Sequence, residues 1–245
     1  GCESLESAEI PMAVTIGADA FAGCILLSDL NCTWNEITAI GNRAFSDCCA
    51  LSGELSLRKL QSVGEAAFSG MAALQSILLS EQITALPANV LADCSALRYL
   101  SAPAVTVLGP RALALKKAAA FNLVTDLPFH QITEIGADAF AGCPLGDGMS
   151  MISFDALKSV PTRGFAEAYG GAVALPNVTE IHPHTFQSAS FHLLSLPAVQ
   201  SLSDSAVSGC QIVVLPNQPI PVSDHAIADT VQILAAPTQQ LPEIY

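Results

Sequence analysis

The sequence predicts an α/β solenoid, a curved ladder of parallel β-strands with short helical turns on the convex side, coiled about ten times. Three observations carry that reading. The phrase Ile16-Gly17-Ala18-Asp19-Ala20-Phe21-Ala22-Gly23-Cys24 returns almost unchanged as Ile135-Gly136-Ala137-Asp138-Ala139-Phe140-Ala141-Gly142-Cys143. Its Phe marks a position that stays apolar along the chain: Phe21, Phe45, Phe68, Leu91, Leu113, Phe140, Phe165, Phe186, Val207 and Ile227. Successive anchors lie 20 to 27 residues apart. That is the period of stacked supersecondary units.

Each position of the unit has a physical reading. Five residues before the anchor stands an aliphatic, such as Ile16, Ile40, Val63 and Leu86. The next position holds Gly17, Gly41, Gly64, Gly109, Gly136, Ser203 or Ser223, residues suited to a helix N-cap. Pro110, Pro183, Glu65, Asp204 and Asp224 follow, as expected in a first helical turn. A short helical turn is therefore expected just before each anchor. Three residues after the anchor come Cys24, Cys48, Met71, Cys94, Lys116, Cys143, Ala168, Ala189, Cys210 and Thr230, one turn on and facing inward. Then comes an extended segment that ends in proline, as in Leu194-Ser195-Leu196-Pro197 and Val213-Val214-Leu215-Pro216, which reads as a strand. The long step after Leu113 predicts a loop within Lys116–Phe129.

The unit C-x-x-L-x-x-[IL]-x-[LA]-P-x-[VI]-x-x-[IVL]-G-x-x-A-F-x-x-C resembles the BspA-like group of bacterial leucine-rich repeats, over essentially the whole chain. Residues 1–245 are accordingly read as one leucine-rich repeat domain, cut from a longer chain. The absence of an initiator Met and of a signal-peptide pattern fits that reading. Cys2-Glu3-Ser4-Leu5 reads as the tail of an upstream unit rather than as a lipid-bearing N-terminal cysteine. One unit cannot bury its own apolar face, so stability must come from stacking. Parallel strands at roughly 4.8 Å per repeat would make a ladder on the order of 50 Å long.

Composition narrows the function classes. The chain has 245 residues, 51% of them apolar, which excludes intrinsic disorder. The formal net charge of −13 repels a nucleic-acid backbone and an anionic membrane surface. No apolar run reaches the ~20 residues needed to span a bilayer. No hydrolase, metalloprotease, P-loop or dinucleotide-binding motif occurs, so the chain reads as non-enzymatic and without cofactors.

Eight cysteines would suit a disulfide framework. Six of them instead share one repeat position, where Met71 and Ala189 replace them, so they read as buried free thiols. Only Cys32 and Cys49 fall outside that register. His182-Pro183-His184, with His192 and Glu180 nearby, is the one histidine cluster, and it reads as cap and turn residues rather than a metal site. Asp19, Asp138, Asp204 and Asp224 read as capping residues rather than calcium ligands. Asn31-Cys32-Thr33 and Asn177-Val178-Thr179 match the glycosylation sequon, which carries no meaning in a bacterial source.

The resemblance implies that the concave strand face binds a partner. Residues expected on it are Ser56, Leu78, Ser101, Ser153, Ala174, Ser195, Val214 and Ala235, with Arg98, Tyr99 and His192 beside them. Their small, weakly charged character suits a protein or extended peptide better than a nucleotide. The resemblance implies an adhesion or protein-interaction module of an extracellular or cell-surface protein. The competing reading is a structural spacer that presents another domain. Free cysteines alone favour a reducing interior. A buried thiol survives outside, so the resemblance decides the compartment.

Overall fold

The computed structural model describes residues 1–115, 124–146, 151–207, 209–223, 225–228 and 231–235. The chain winds into about ten coils, each with three sides, and among the described residues every strand pairing is parallel. The first side is a long strand, the second a short two-residue strand, and the third a turn that carries the anchor.

The long strands begin with Ser7–Glu9 beside Asp29–Asn31. A second run aligns Gly53–Leu57, Leu74–Leu79, Tyr99–Ser101 and Val124–Thr125. A third aligns Met151–Ser153, Tyr169–Ala174, Ser190–Ser195, Ile212–Leu215 and Gln232–Ala235. The short strands stack on the second side, as in Thr15–Ile16, Ala39–Ile40 and Ser62–Val63. Two 3-10 turns, Trp34–Glu36 and Phe129–Gln131, stand where the long-strand ladder is interrupted. Each brings an aromatic onto the core. Trp34 lies 5.5 Å from the ring of Phe45, and Phe129 lies 5.3 Å from that of Phe154.

The expected helical turns do not form, and neither does the α component of the fold class. Among the described residues there is no α-helix. The backbone shows why. The residue two before the anchor is left-handed in coil after coil: Asp19, Arg43, Ala66, Asn89, Arg111, Asp138, Arg163, His184 and Ser205, with φ between 52° and 61°. The residue two after it is left-handed as well, as at Gly23, Asp47, Gly70 and Asp93. A left-handed residue ends a right-handed helix. Amide groups therefore alternate in purpose. The N–H groups of Ala20, Ala22 and Cys24 donate within the turn, to the carbonyls of Gly17, Asp19 and Phe21. Those of Asp19, Phe21 and Gly23 donate to the next coil, to Asn42, Ala44 and Ser46, at 2.8–2.9 Å. The turn side is thus a third ladder, and half of its donors are spent between coils.

The repeat glycines have a related purpose. A Cβ at Gly41 would sit 2.4 Å from the Ala18 nitrogen, and one at Gly136 would sit 2.4 Å from the Pro110 nitrogen. These glycines let neighbouring coils approach; they do not cap helices.

The anchors fill the interior. Phe45, Phe68, Phe140, Phe165 and Phe186 are fully buried, and so are Leu91, Leu113 and Val207. The rings form two parallel stacks. Phe21, Phe45 and Phe68 follow at 5.4 and 6.2 Å, and Phe140, Phe165 and Phe186 at 5.2 and 5.3 Å. Five cysteines of the repeat register, Cys24, Cys48, Cys94, Cys143 and Cys210, are buried beside them. Cys2 shares the register but is exposed at the N-terminal edge of the stack. Lys116, Asp224, Thr230 and the greater part of the loop expected after Leu113 lie outside the described residues. The part that is described, from Val124 on, forms a strand and a 3-10 turn.

Candidate binding face

Strand alternation decides which side chains reach the surface of the long-strand side. Leu55, Ile77 and Leu100 point inward and are buried, so their neighbours in sequence point out. Register places Ser56 beside Leu78 and Leu78 beside Ser101. Further along it places Ser153 beside Ala174, Ala174 beside Ser195, and Ser195 beside Val214. The expected outward residues therefore do form a row, in two segments.

Two members need correction. Ala174 has only 8% of its surface exposed, because a methyl group between two neighbours is covered by them. It offers no contact area. Ala235 pairs with Leu215, which belongs to the buried row. Leu234, 41% exposed, is the residue that continues from Val214.

Several hydroxyls on the row are already committed. Ser56 Oγ donates to Asn35 Oδ1 at 2.9 Å, from the neighbouring 3-10 turn. Ser101 Oγ donates to Asp126 Oδ2 at 2.7 Å, and the Ala102 N–H donates to Asp126 Oδ1 at 2.8 Å. Ser153 Oγ donates to Asp155 Oδ1. Arg98 is exposed beside Tyr99, and its N–H donates to the Gln75 carbonyl at 2.8 Å. His192 is exposed, with Nδ1 2.8 Å from Gln211 Oε1.

Leu78, Tyr99 and Ser101 come together in one open groove of about 510 Å³. It is completed by residues that the sequence reading did not single out: Arg58, Ser80, Glu81, Gln82 and Pro103. A signal for Arg58 was present. Leu57 is inward, so the next residue emerges on the same face as Ser56. The two halves of the face differ. Beyond Ser153 the neighbouring outward positions are mostly apolar, with Met151, Leu193, Ile212 and Val214.

The other candidates resolve into structure. Asp19 and Asp138 do not cap helices. Each holds the arginine at the equivalent place one coil on: Arg43 Nε lies 2.8 Å from Asp19 Oδ1, and Arg163 Nε lies 2.8 Å from Asp138 Oδ1. The hydrogen bond from Arg43 keeps the Asp19 carboxyl below its usual pKa. The Asn177 amide of one sequon donates to the Asp155 carbonyl at 2.8 Å. Among the described residues no group of three His, Cys, Asp or Glu is arranged to hold a metal ion, and His182 and His184 are exposed. No helix among them is long and apolar enough to cross a membrane.

A parallel solenoid with a ring stack, a thiol register and a three-residue-spaced turn defines a class of repeat protein. The family model for the BspA type leucine rich repeat region matches residues 1–119 and 123–231, in six copies. The chain belongs to that family. No curated protein matches it. Among solved structures it is similar to a leucine rich cell surface protein from Faecalibacterium prausnitzii, at 18% identity and a TM-score of 0.53, over 94% of this chain and 72% of that one. It is also similar to a leucine-rich repeat protein from Bacteroides ovatus, at 14% identity and a TM-score of 0.46, over 97% of this chain and 85% of that one. A third is the pneumococcal vaccine antigen PcpA, at 15% identity and a TM-score of 0.45, over 95% of this chain and 68% of that one.

Proposed function

We propose that the chain is a non-catalytic interaction module of a cell-surface or secreted protein, and that it engages a protein or extended peptide through its long-strand face. The observation that supports this most is the groove over Leu78, Tyr99 and Ser101, on the face that the repeat pattern selects. Tyrosine and arginine in a pocket are the residues that most often carry binding energy at protein interfaces. The family and the surface protein of similar fold support the location. The test is biolayer interferometry of the purified domain against a panel of extracellular-matrix and cell-surface proteins. Binding that is lost in Y99A and S195W, with unchanged melting, upholds the reading. A panel with no binder above background overturns it.

The spacer reading draws on a different observation. The hydroxyls of Ser56, Ser101 and Ser153 are satisfied internally, which leaves those stretches of the face inert. That reading expects binding, if any, to survive both substitutions.

A further inference from the structure

We propose that the groove between Arg58 and Tyr99 is the anchor point for an extended peptide that carries one acidic side chain about three residues from an apolar one. This rests on the reading of the long-strand face as a binding surface, and it names the chemistry of the occupant.

Charge singles out one side chain of the groove. The chain carries nine Lys and Arg against twenty-two Asp and Glu. Most described cations are already engaged by the protein. Arg43 is paired with Asp19, Lys59 with Glu36, and Arg163 with Asp138, each at 2.8 Å, while Arg111 Nε donates to Asn89. Arg58 is exposed in the groove, and no described residue partners its guanidinium. An unpaired guanidinium in an acidic protein is a ready receptor for one carboxylate, which it holds through two parallel hydrogen bonds.

The lining of the groove suits a peptide main chain. The Ser80 hydroxyl donates to the Leu60 carbonyl and accepts the Gln82 N–H, and Ser101 is held by Asp126. These groups are spent. The Tyr99 hydroxyl and the Glu81 and Gln82 side chains have no described partner. They can accept and donate hydrogen bonds, as a peptide main chain requires. Leu78 and Pro103 supply apolar wall for a neighbouring side chain. Glu81 in the same groove counts against a polyanion, which would meet it as well as Arg58.

Register sets the spacing between the cation and the apolar wall. Leu78, the apolar wall, pairs with Ser56, so it lies one coil over from Arg58 and two residues back along the strand. One step of roughly 4.8 Å across the ladder and two residues of ~3.3 Å along it separate them by about 8 Å. An extended chain covers that in two to three residues at ~3.3 Å each.

The experiment is selection from a random dodecapeptide display library on the immobilised domain. Fluorescence anisotropy with the enriched peptides, made synthetically, follows. The expected result is Asp or Glu two to four residues from an aliphatic or aromatic residue. Binding should weaken tenfold or more in R58Q and in Y99A, weaken with added salt, and stay unchanged in K158Q. Arg58 is exposed, so R58Q keeps the wild-type melting temperature. Enriched peptides without an acid, or equal binding by R58Q, overturn the inference. So does a glycan-array hit that R58Q abolishes, and so does a selection that enriches nothing. Peptides blocked by S195W but indifferent to R58Q overturn it while leaving the long-strand face as the binding surface.

Discussion

Cys48 donates its thiol proton to the carbonyl of Phe21, one coil earlier, at 3.1 Å. Cys94 does the same to Phe68 at 3.1 Å. The thiol register thus belongs to the ring register: each such cysteine fills space beside one anchor and satisfies the carbonyl of the previous one.

Burial raises the thiol pKa values of Cys48, Cys94 and Cys143 to about 12. The folded state therefore keeps these protons, while the unfolded chain releases them above its ordinary value of 9.0. The stabilisation is complete below pH 9 and is lost as pH rises towards 12. The urea midpoint should fall between pH 8 and pH 10.5. A flat midpoint would contradict buried thiols. At pH 8 the same three should react with a thiol reagent only after denaturation.

Phe140 stacks on Phe165 at 5.2 Å and an interplanar angle of 6°. Phe140→Ala leaves a cavity in a stack that cannot collapse along the coil axis. The expected loss is about 3–5 kcal/mol by urea denaturation. A loss under ~1 kcal/mol would place the ring outside the core.

Gly41→Ala sets a methyl 2.4 Å from backbone of the preceding coil, whereas a Cβ at Gly17, the same position in the first repeat, meets nothing within 4 Å. The first substitution should cost roughly 1–3 kcal/mol. The second should stay within ~0.5 kcal/mol. Thermal melts of the two variants compare them directly, and equal melting temperatures would refute the close approach of coils.

Ala66 holds a φ of 52° with no side-chain group to favour it. Ala66→Gly should therefore stabilise the domain by roughly 1 kcal/mol, and a β-branched residue there should destabilise it. The chemical-denaturation midpoints of Ala66→Gly and Ala66→Val should move in opposite directions.

How far the candidate site could be read depends on what alternation alone conveys. The apolar partners Leu55, Ile77 and Leu100 are visible in the sequence, so Ser56, Leu78 and Ser101 follow as outward residues. The groove is assembled from three coils and from the turn after Leu79, so its rim at Glu81, Gln82 and Pro103 belongs to no single repeat. Alternation gave no warning that Ala174 is covered, since exposure depends on the neighbours across the ladder.

The repeat period, the anchor identities and the thiol register were determined by the sequence itself, because each recurs at one place in every coil and only stacking satisfies it. Tertiary structure decided the turn. Gly, Asp and Pro near the anchor suit a helix start and a left-handed turn equally well. The choice fell to the turn because hydrogen bonds between coils take every second amide, and a helix has none to spare.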